Sequence, residues 1–188
     1  MQFFAENLAA GGLRVIRFEF PYMRRRRLTG KKSPPDRAPV LMQAWRDIIK
    51  HFGPQNLIIG GKSMGGRIAS MVAAEIRDRE IMPAGLVCLG YPFHPAGKPD
   101  QLRVDHLHDL KVPTLFCQGT RDTLGHLDDV AKYTLPDTIK FCWLTDGDHS
   151  FKPRKKSGIT EQTNWRTAIT SIIRFVHTPS EQDPPLRQ

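Results

Sequence analysis

The sequence lacks the features that mark membrane and secreted proteins. No apolar run approaches the ~20 residues that a bilayer-spanning helix needs. Residues 1–7 carry no basic segment and include Glu6 among their apolar side chains, which argues against a secretory signal. Of the 188 residues, 39% are hydrophobic and 25% are charged, a composition typical of one soluble globular domain.

Cysteine is scarce and its number is odd. Cys88, Cys117 and Cys142 each lie inside a strand-like apolar run. This usage favours reduced core residues in a cytoplasmic protein over a disulfide or a metal site. His106 and His108 could suggest a metal site, but no further ligands stand at a recognisable spacing. We therefore expect neither a metal nor a cofactor.

Acidic residues are outnumbered, and the net charge is +9. Two clusters hold much of the excess: Arg24–Arg27 with Lys31 and Lys32, and Lys152 with Arg154–Lys156. The simplest interpretation is two solvated loops, and the alternatives are attraction of anionic substrates or weak nucleic-acid binding. Aromatic residues do not interleave with either cluster, which argues against a nucleic-acid partner.

Strand-like runs alternate with helical patterns along the chain. The runs are Leu13–Phe20, Leu57–Ile59, Gly85–Leu89, Thr114–Gln118 and Thr138–Leu144. Apolar spacing predicts helices over residues 3–10, 40–52, 64–79 and 161–177. Nearly continuous apolar strands are covered on both faces. The pattern predicts an α/β domain over residues 1–178, with a mostly parallel sheet between two helical layers, and a disordered tail over 179–188.

The stretch 57–67, LIIGGKSMGGR, allows two interpretations. A phosphate-binding loop needs a glycine five residues before Gly61, where Asn56 stands, and the intervening residues read largely as strand. A nucleophile elbow needs a serine at a sharp strand-to-helix turn, with small residues two positions before and after it. Gly61 and Gly65 hold those positions around Ser63. The sequence therefore favours Ser63 as a nucleophile.

A serine nucleophile needs a histidine base and an acid that orients the base, in the chain order Ser, Asp, His for this arrangement. Asp122 follows the run Thr114–Gln118, and His149 follows the run Thr138–Leu144. Both should lie at the sheet edge that carries Ser63. Asp146 and Asp148 are rival acids that we expect to shape the turn before His149 instead.

Five motifs in order resemble those of the small α/β-hydrolases, in the dienelactone-hydrolase-like branch that includes the KANL/Tex proteins of animals. They are Phe18–Met23, Gly61–Arg67, Gly90–Pro95 with Gly97–Pro99, Gln118–Asp122 and Asp146–His149. The resemblance covers almost the whole chain, from Phe3 to Val176. It implies the α/β-hydrolase fold, without a large cap, and a triad of Ser63, Asp122 and His149.

One departure from that family concerns the oxyanion hole. Members normally carry a strand and a small-residue loop before the first helix, and that loop supplies one N–H to the oxyanion. The other N–H would come from Met64 here. The chain begins at Met1 inside what resembles the first helix. Either it is a fragment of a longer protein, which we expect, or another segment replaces the loop.

The sequence thus predicts a serine hydrolase acting on small or medium soluble esters through an acyl-enzyme, with a preference for anionic substrates. The alternative is a catalytically impaired hydrolase scaffold, or fragment, that binds a protein partner.

Overall fold

Four parallel strands form the sheet of this protein, which the computed structural model describes over residues 1–178. The strands are β1 (Ile58–Lys62), β2 (Gly85–Leu89), β3 (Thr114–Gly119) and β4 (Ile139–Leu144). They lie side by side in chain order, and each neighbouring pair is parallel. Because parallel strands end at the same edge of a sheet, the segments that follow them meet there.

Helices cover both faces of this sheet. In the described part of the chain they are α1 (Gln2–Ala10), α2 (Pro21–Thr29), α3 (Ala38–Phe52), α4 (Met64–Glu75), α5 (Leu127–Val130) and α6 (Glu161–His177). Single 3₁₀ turns occupy Arg79–Ile81, Asp105–Leu107 and Lys155–Ser157. Helices α3 and α4 pack on one face, and α1 and α6 pack on the other.

The alternation of side chains along β2 shows how the layers are held. Leu86 and Cys88 point into the core beneath α3 and α4, whereas Val87 and Leu89 point into the core beneath α1 and α6. Every residue of β2 and of β3 is buried. The predicted three-layer α/β architecture, with no large cap, is confirmed.

The predicted strand Leu13–Phe20 does not form. This segment has no regular secondary structure, and Val15 and Ile16 are exposed. Its composition suits a strand, but a strand also needs a neighbour to complete its hydrogen-bond ladder. Among the described residues β1 pairs only with β2, and no residue of the segment 13–20 takes part in a strand pairing. Phe18 still packs, with its ring centre 4.7 Å from that of Trp45.

The interpretation of Arg24–Arg27 as a loop was also wrong, because these residues belong to α2. Pro21 occupies the first turn of that helix, where a missing N–H costs nothing, and Gly30 ends it in the left-handed conformation. Arginine is itself a good helix former. Helix α4 is shorter than predicted and ends at Glu75.

Two further predictions concern the C-terminal tail and helices that could span a membrane. The predicted tail 179–188 lies outside the described residues. Across residues 1–178, no helix is both long enough and apolar enough to cross a membrane.

Candidate active site

Ser63 stands at the point where β1 turns into α4. Its backbone has φ 52° and ψ −119°, a conformation that L-residues rarely adopt. Its N–H donates a hydrogen bond of 2.9 Å to the carbonyl of Leu89, which ties the turn to β2. The side chain makes no capping bond to α4. Ser63 thus has the strained geometry of a nucleophile elbow, with its hydroxyl directed away from the helix.

Two glycines let α4 approach the sheet closely. A Cβ added to Gly61 would lie 3.0 Å from the carbonyl carbon of Gly65, and one added to Gly66 would lie 2.6 Å from the carbonyl oxygen of Gly61. A Cβ on Gly65 would meet nothing within 4 Å. The structure therefore differs from the expectation for Gly65. The residue whose missing side chain admits the helix is Gly66, which the motif spacing does not mark.

The three residues of the predicted triad lie in hydrogen-bond contact. His149 Nε2 is 2.9 Å from Ser63 Oγ, and His149 Nδ1 is 2.8 Å from Asp122 Oδ2. A carboxylate only accepts hydrogen bonds, so Nδ1 carries the proton and Nε2 is free to accept one from the serine. The imidazole is about a quarter exposed, at 28%, whereas the Asp122 side chain is fully buried.

Gln118 holds Asp122 in place, a role that sequence reasoning missed. This fully buried residue of β3 donates from Nε2 to Asp122 Oδ2 over 3.0 Å and to the carbonyl of Gly125. Its Oε1 accepts from the N–H of Tyr91. The N–H of Leu124 donates to the other carboxylate oxygen of Asp122. Gln118 stood in the sequence as the last residue of a predicted strand and the first of the motif Gln118–Asp122, but no role was assigned to it.

The rival acids are engaged in the loop before and after His149. Asp146 accepts hydrogen bonds from the guanidinium and backbone N–H of Arg154 and also pairs with Arg121. The Arg154 hydrogen bond is the main reason that the pKa of Asp146 is lowered to about 2. Asp148 accepts from the N–H groups of Ser150 and Lys152. Both aspartates therefore shape this loop, as their positions suggested.

Lys62 connects β1 to the histidine loop. Its Nζ donates a hydrogen bond of 2.7 Å to the carbonyl oxygen of His149 and lies 5.2 Å from the centre of the Phe151 ring. Burial lowers the pKa of Lys62, and the negative charges of Asp122 and Asp148 oppose that shift. The contact joins residues 87 positions apart. No local pattern could have revealed it.

The predicted basic clusters have local partners for several of their charges. Ion pairs join Arg25 to Asp36, Arg27 to Glu19 and Arg154 to Asp146. Arg26 donates to the carbonyl of Ser33, 2.6 Å from its Nε. These pairs reduce the free positive charge that the clusters can offer to a substrate.

His106, one of the two histidines that could suggest a metal site, lies within hydrogen-bond distance of two hydroxyl groups of the protein. His106 Nε2 lies 2.9 Å from Ser70 Oγ and 3.3 Å from the Tyr91 hydroxyl. Burial, helped by the charge of Arg67, lowers the pKa of His106 to about 4. Over residues 1–178, no three side chains of the types that ligate metals cluster together, and His108 is exposed.

Two surface hollows, of about 380 and 320 Å³, lie on α6 and beside α4 respectively. Neither is lined by Ser63, Asp122 or His149.

The comparison with family models agrees with this architecture. The model described as "Alpha/beta hydrolase domain" matches residues 1–177, nearly the whole chain. The chain belongs to this family. Its membership accounts for the parallel sheet between two helical layers.

Solved structures of other alpha/beta hydrolases share the fold at low identity. The esterase domain of a Rhodothermus marinus protein is 16% identical with a TM-score of 0.60, over 93% of this chain and 79% of that one. A putative hydrolase of the alpha/beta superfamily from Xanthomonas campestris is 20% identical with a TM-score of 0.56, over 90% and 86%.

An alpha-beta serine hydrolase homologue from Coxiella burnetii is 15% identical with a TM-score of 0.53, over 76% of this chain. The present chain spans only 62% of the Coxiella protein.

Proposed function

We propose that this chain is a serine hydrolase that cleaves esters of small or medium soluble substrates through an acyl-enzyme. One observation carries the proposal: Asp122, His149 and Ser63 form a continuous hydrogen-bonded chain that ends on a serine held in a strained elbow. Ion pairs and turn contacts explain the other polar groups of the histidine loop. They do not explain why a loop histidine should bridge a buried aspartate and a strained serine.

The proposed reaction begins with attack of Ser63 Oγ on the ester carbonyl. His149 Nε2 takes the hydroxyl proton as the bond to carbon forms, and Asp122 stabilises the imidazolium through Nδ1–H. His149 then donates that proton to the departing alcohol. Water, deprotonated by the same nitrogen, releases the acid and restores Ser63. A protonated imidazole cannot accept the serine proton, so we expect the rate to fall in acid.

The oxyanion needs donors that face the developing negative charge. Met64 N–H is the donor that we assign, because it opens α4 and first-turn amides have no acceptor within their own helix. The positive end of the helix dipole adds to its effect. Loss of one of two such donors typically costs ~10²–10³ in rate.

The subgroup, the cellular location and the size of the substrate are also part of the proposal. The dienelactone-hydrolase-like assignment rests on the motifs quoted above, and the cytoplasmic location rests on cysteine usage. Small or medium substrates are expected because the segment between β2 and β3, residues 90–113, is too short to form a sizeable lid domain.

The test is fluorophosphonate labelling measured by intact mass, since this probe reports an activated serine without a known substrate. We expect one adduct on the chain and none on Ser63→Ala. Asp122→Asn should slow labelling by up to ~10⁴, because the wrong imidazole tautomer then faces the serine. Ser150→Ala is the matched control: it removes an exposed hydroxyl beside His149 and should keep the adduct.

The scaffold alternative makes the opposite prediction. It is favoured by the exposed apolar side chains of Val15 and Ile16, and by the outer strand β1, which among the described residues pairs only with β2. A wild-type chain that is folded by circular dichroism yet takes no adduct would reject the hydrolase proposal. Retention of the adduct in Ser63→Ala would reject Ser63 as the nucleophile.

A further inference from the structure

Arg67 and Arg103 differ from the other arginines near the centre of the molecule. Both are half-buried, and within residues 1–178 neither forms an ion pair with a carboxylate. Arg67 Nε is fully buried and has no hydrogen-bond acceptor. Buried donors are nearly always paired, and leaving one unpaired costs free energy. Arg67 therefore carries one N–H that the described protein atoms leave unpaired.

A chain of hydrogen bonds fixes the backbones of these arginines relative to each other. Ser70 Oγ donates to the carbonyl of Arg67 over 2.7 Å, and the Tyr91 hydroxyl donates to the carbonyl of Arg103 over 2.8 Å. His106 Nε2 lies within 3.3 Å of both hydroxyl oxygens. Because both hydroxyls already donate to carbonyls, Nε2 is the protonated nitrogen and donates to them. The network connects α4 to the loop that follows β2.

Both arginines belong to segments that carry or contact the triad. Arg67 lies four residues after Ser63, and its N–H donates to the carbonyl of Ser63 over 3.0 Å. Side chains on a helix lean toward its N-terminus, so that of Arg67 covers the turn that begins at Ser63. Arg103 closes the loop that starts at Gly90, where an added Cβ would lie 3.4 Å from His149 Nδ1.

Mutual repulsion between the two guanidinium groups supports a shared environment. Burial lowers the pKa of Arg103, and the positive charge of Arg67 lowers it further. His106 does not relieve this repulsion, since it carries no charge near neutral pH with its pKa at about 4. Two like charges without a counter-ion favour the binding of an anion between them.

We propose that Arg67 and Arg103 bind a carboxylate at the far end of the substrate's acyl group, an inference that rests on the proposed serine-hydrolase function. A guanidinium matches a carboxylate through two parallel hydrogen bonds. Residues four apart on a helix are about 5–6 Å apart at Cβ. The acyl group is therefore a short dicarboxylic one, held as a half-ester and cleaved at its other end. This site replaces the basic clusters as the source of selectivity for anions.

The first measurement compares two esters of equal chain length, 4-nitrophenyl hemisuccinate and 4-nitrophenyl butyrate, at low salt. Wild type should favour the hemisuccinate in kcat/KM. Arg67→Gln and Arg103→Gln should each reduce that preference by roughly tenfold to a hundredfold, because a hydrogen bond to a charged group is lost. Arg79→Gln removes one exposed charge beyond the far end of α4 and should leave the preference unchanged.

A binding measurement separates this inference from the proposed catalysis. Calorimetry on Ser63→Ala should detect monomethyl succinate more tightly bound than methyl butyrate, and the added Arg103→Gln change should remove the difference. Equal binding of the two esters, or a difference that survives both arginine changes, overturns the inference. If wild type takes no fluorophosphonate adduct while the binding difference is present, catalysis fails as a proposal and the anion site stands.

Discussion

The closeness of α4 to the sheet predicts opposite effects for the same substitution at two adjacent glycines. Gly65 and Gly66 are both in the first turn of α4, so replacement by alanine gives each the same gain in helix propensity, ~1 kcal/mol. Space is what differs. A Cβ at Gly65 meets nothing within 4 Å, whereas one at Gly66 lies 2.6 Å from the oxygen of Gly61 and 3.2 Å from Cys88 Sγ.

The propensity gain cancels between the variants, so their difference in stability isolates the cost of overpacking. That cost is about 1–3 kcal/mol for a side chain forced into a filled core. The 2.6 Å contact is with a backbone atom, which cannot rotate away, and this favours the upper part of the range. Gly65→Ala should therefore be more stable than wild type, by about 0.5–1 kcal/mol. Gly66→Ala should be less stable than wild type.

The assay is urea unfolding followed by tryptophan fluorescence, with the slope checked to be equal in all three chains. Gly66→Ala should also label more slowly with fluorophosphonate, because displacement of α4 moves the turn at Ser63. Equal stability of the two variants, or a less stable Gly65→Ala, would refute the account of the close approach.

The remaining predictions concern Lys62 and His106. Lys62→Met should slow fluorophosphonate labelling by roughly tenfold, since a charged donor to the histidine loop is lost, while Lys140→Met, an exposed lysine on β4, should not. The urea midpoint of Lys62→Met should not fall, because removal of a buried amine also removes its desolvation cost. If this variant loses stability as well as labelling rate, the role of Lys62 in positioning the histidine loop is contradicted. Between pH 6.5 and about 4 the unfolded chain binds a proton at His106 that the folded chain does not, so wild type loses stability as the pH falls through this window. From pH 7 to pH 5 the urea midpoint of His106→Gln should therefore fall less than that of wild type. Equal falls in the two proteins would argue against a buried neutral imidazole.

The strands and the long helices could be predicted because their signals are local. β2 is buried on both faces and reads as a continuous apolar run, and the apolar spacing of α6 gave its bounds, Glu161–His177, without error. Leu13–Phe20 has the composition of a strand yet forms none, since pairing depends on a neighbour that composition does not encode. α2 was missed because four consecutive arginines read as solvated loop, although the same residues tolerate a helix.

The candidate site divides in the same way. The contact of Ser63, Asp122 and His149 could be predicted because the ends of parallel strands meet at one edge of the sheet. Lys62 acts through a contact with a residue 87 positions away, so it has no local pattern. Gln118 lies only four residues before Asp122, but the direction of its side chain is known only from the fold. The close contact of Gly66 with Gly61 and with Cys88 of β2 could not be predicted either, because it depends on how α4 packs against the sheet.

The order of the strands also determines when the chain can become competent during folding. Ser63 and His149 are 86 positions apart, and β2 and β3 lie between the strands that carry them. Contacts between distant residues require the chain entropy of the intervening loop to be lost first, and they form late and slowly. The serine–histidine contact can therefore appear only after β4 has docked at the far side of the sheet. If Ser63 is the nucleophile that we propose, its labelling by fluorophosphonate should report completed folding, and a nascent chain whose β4 is still inside the ribosome should take no label.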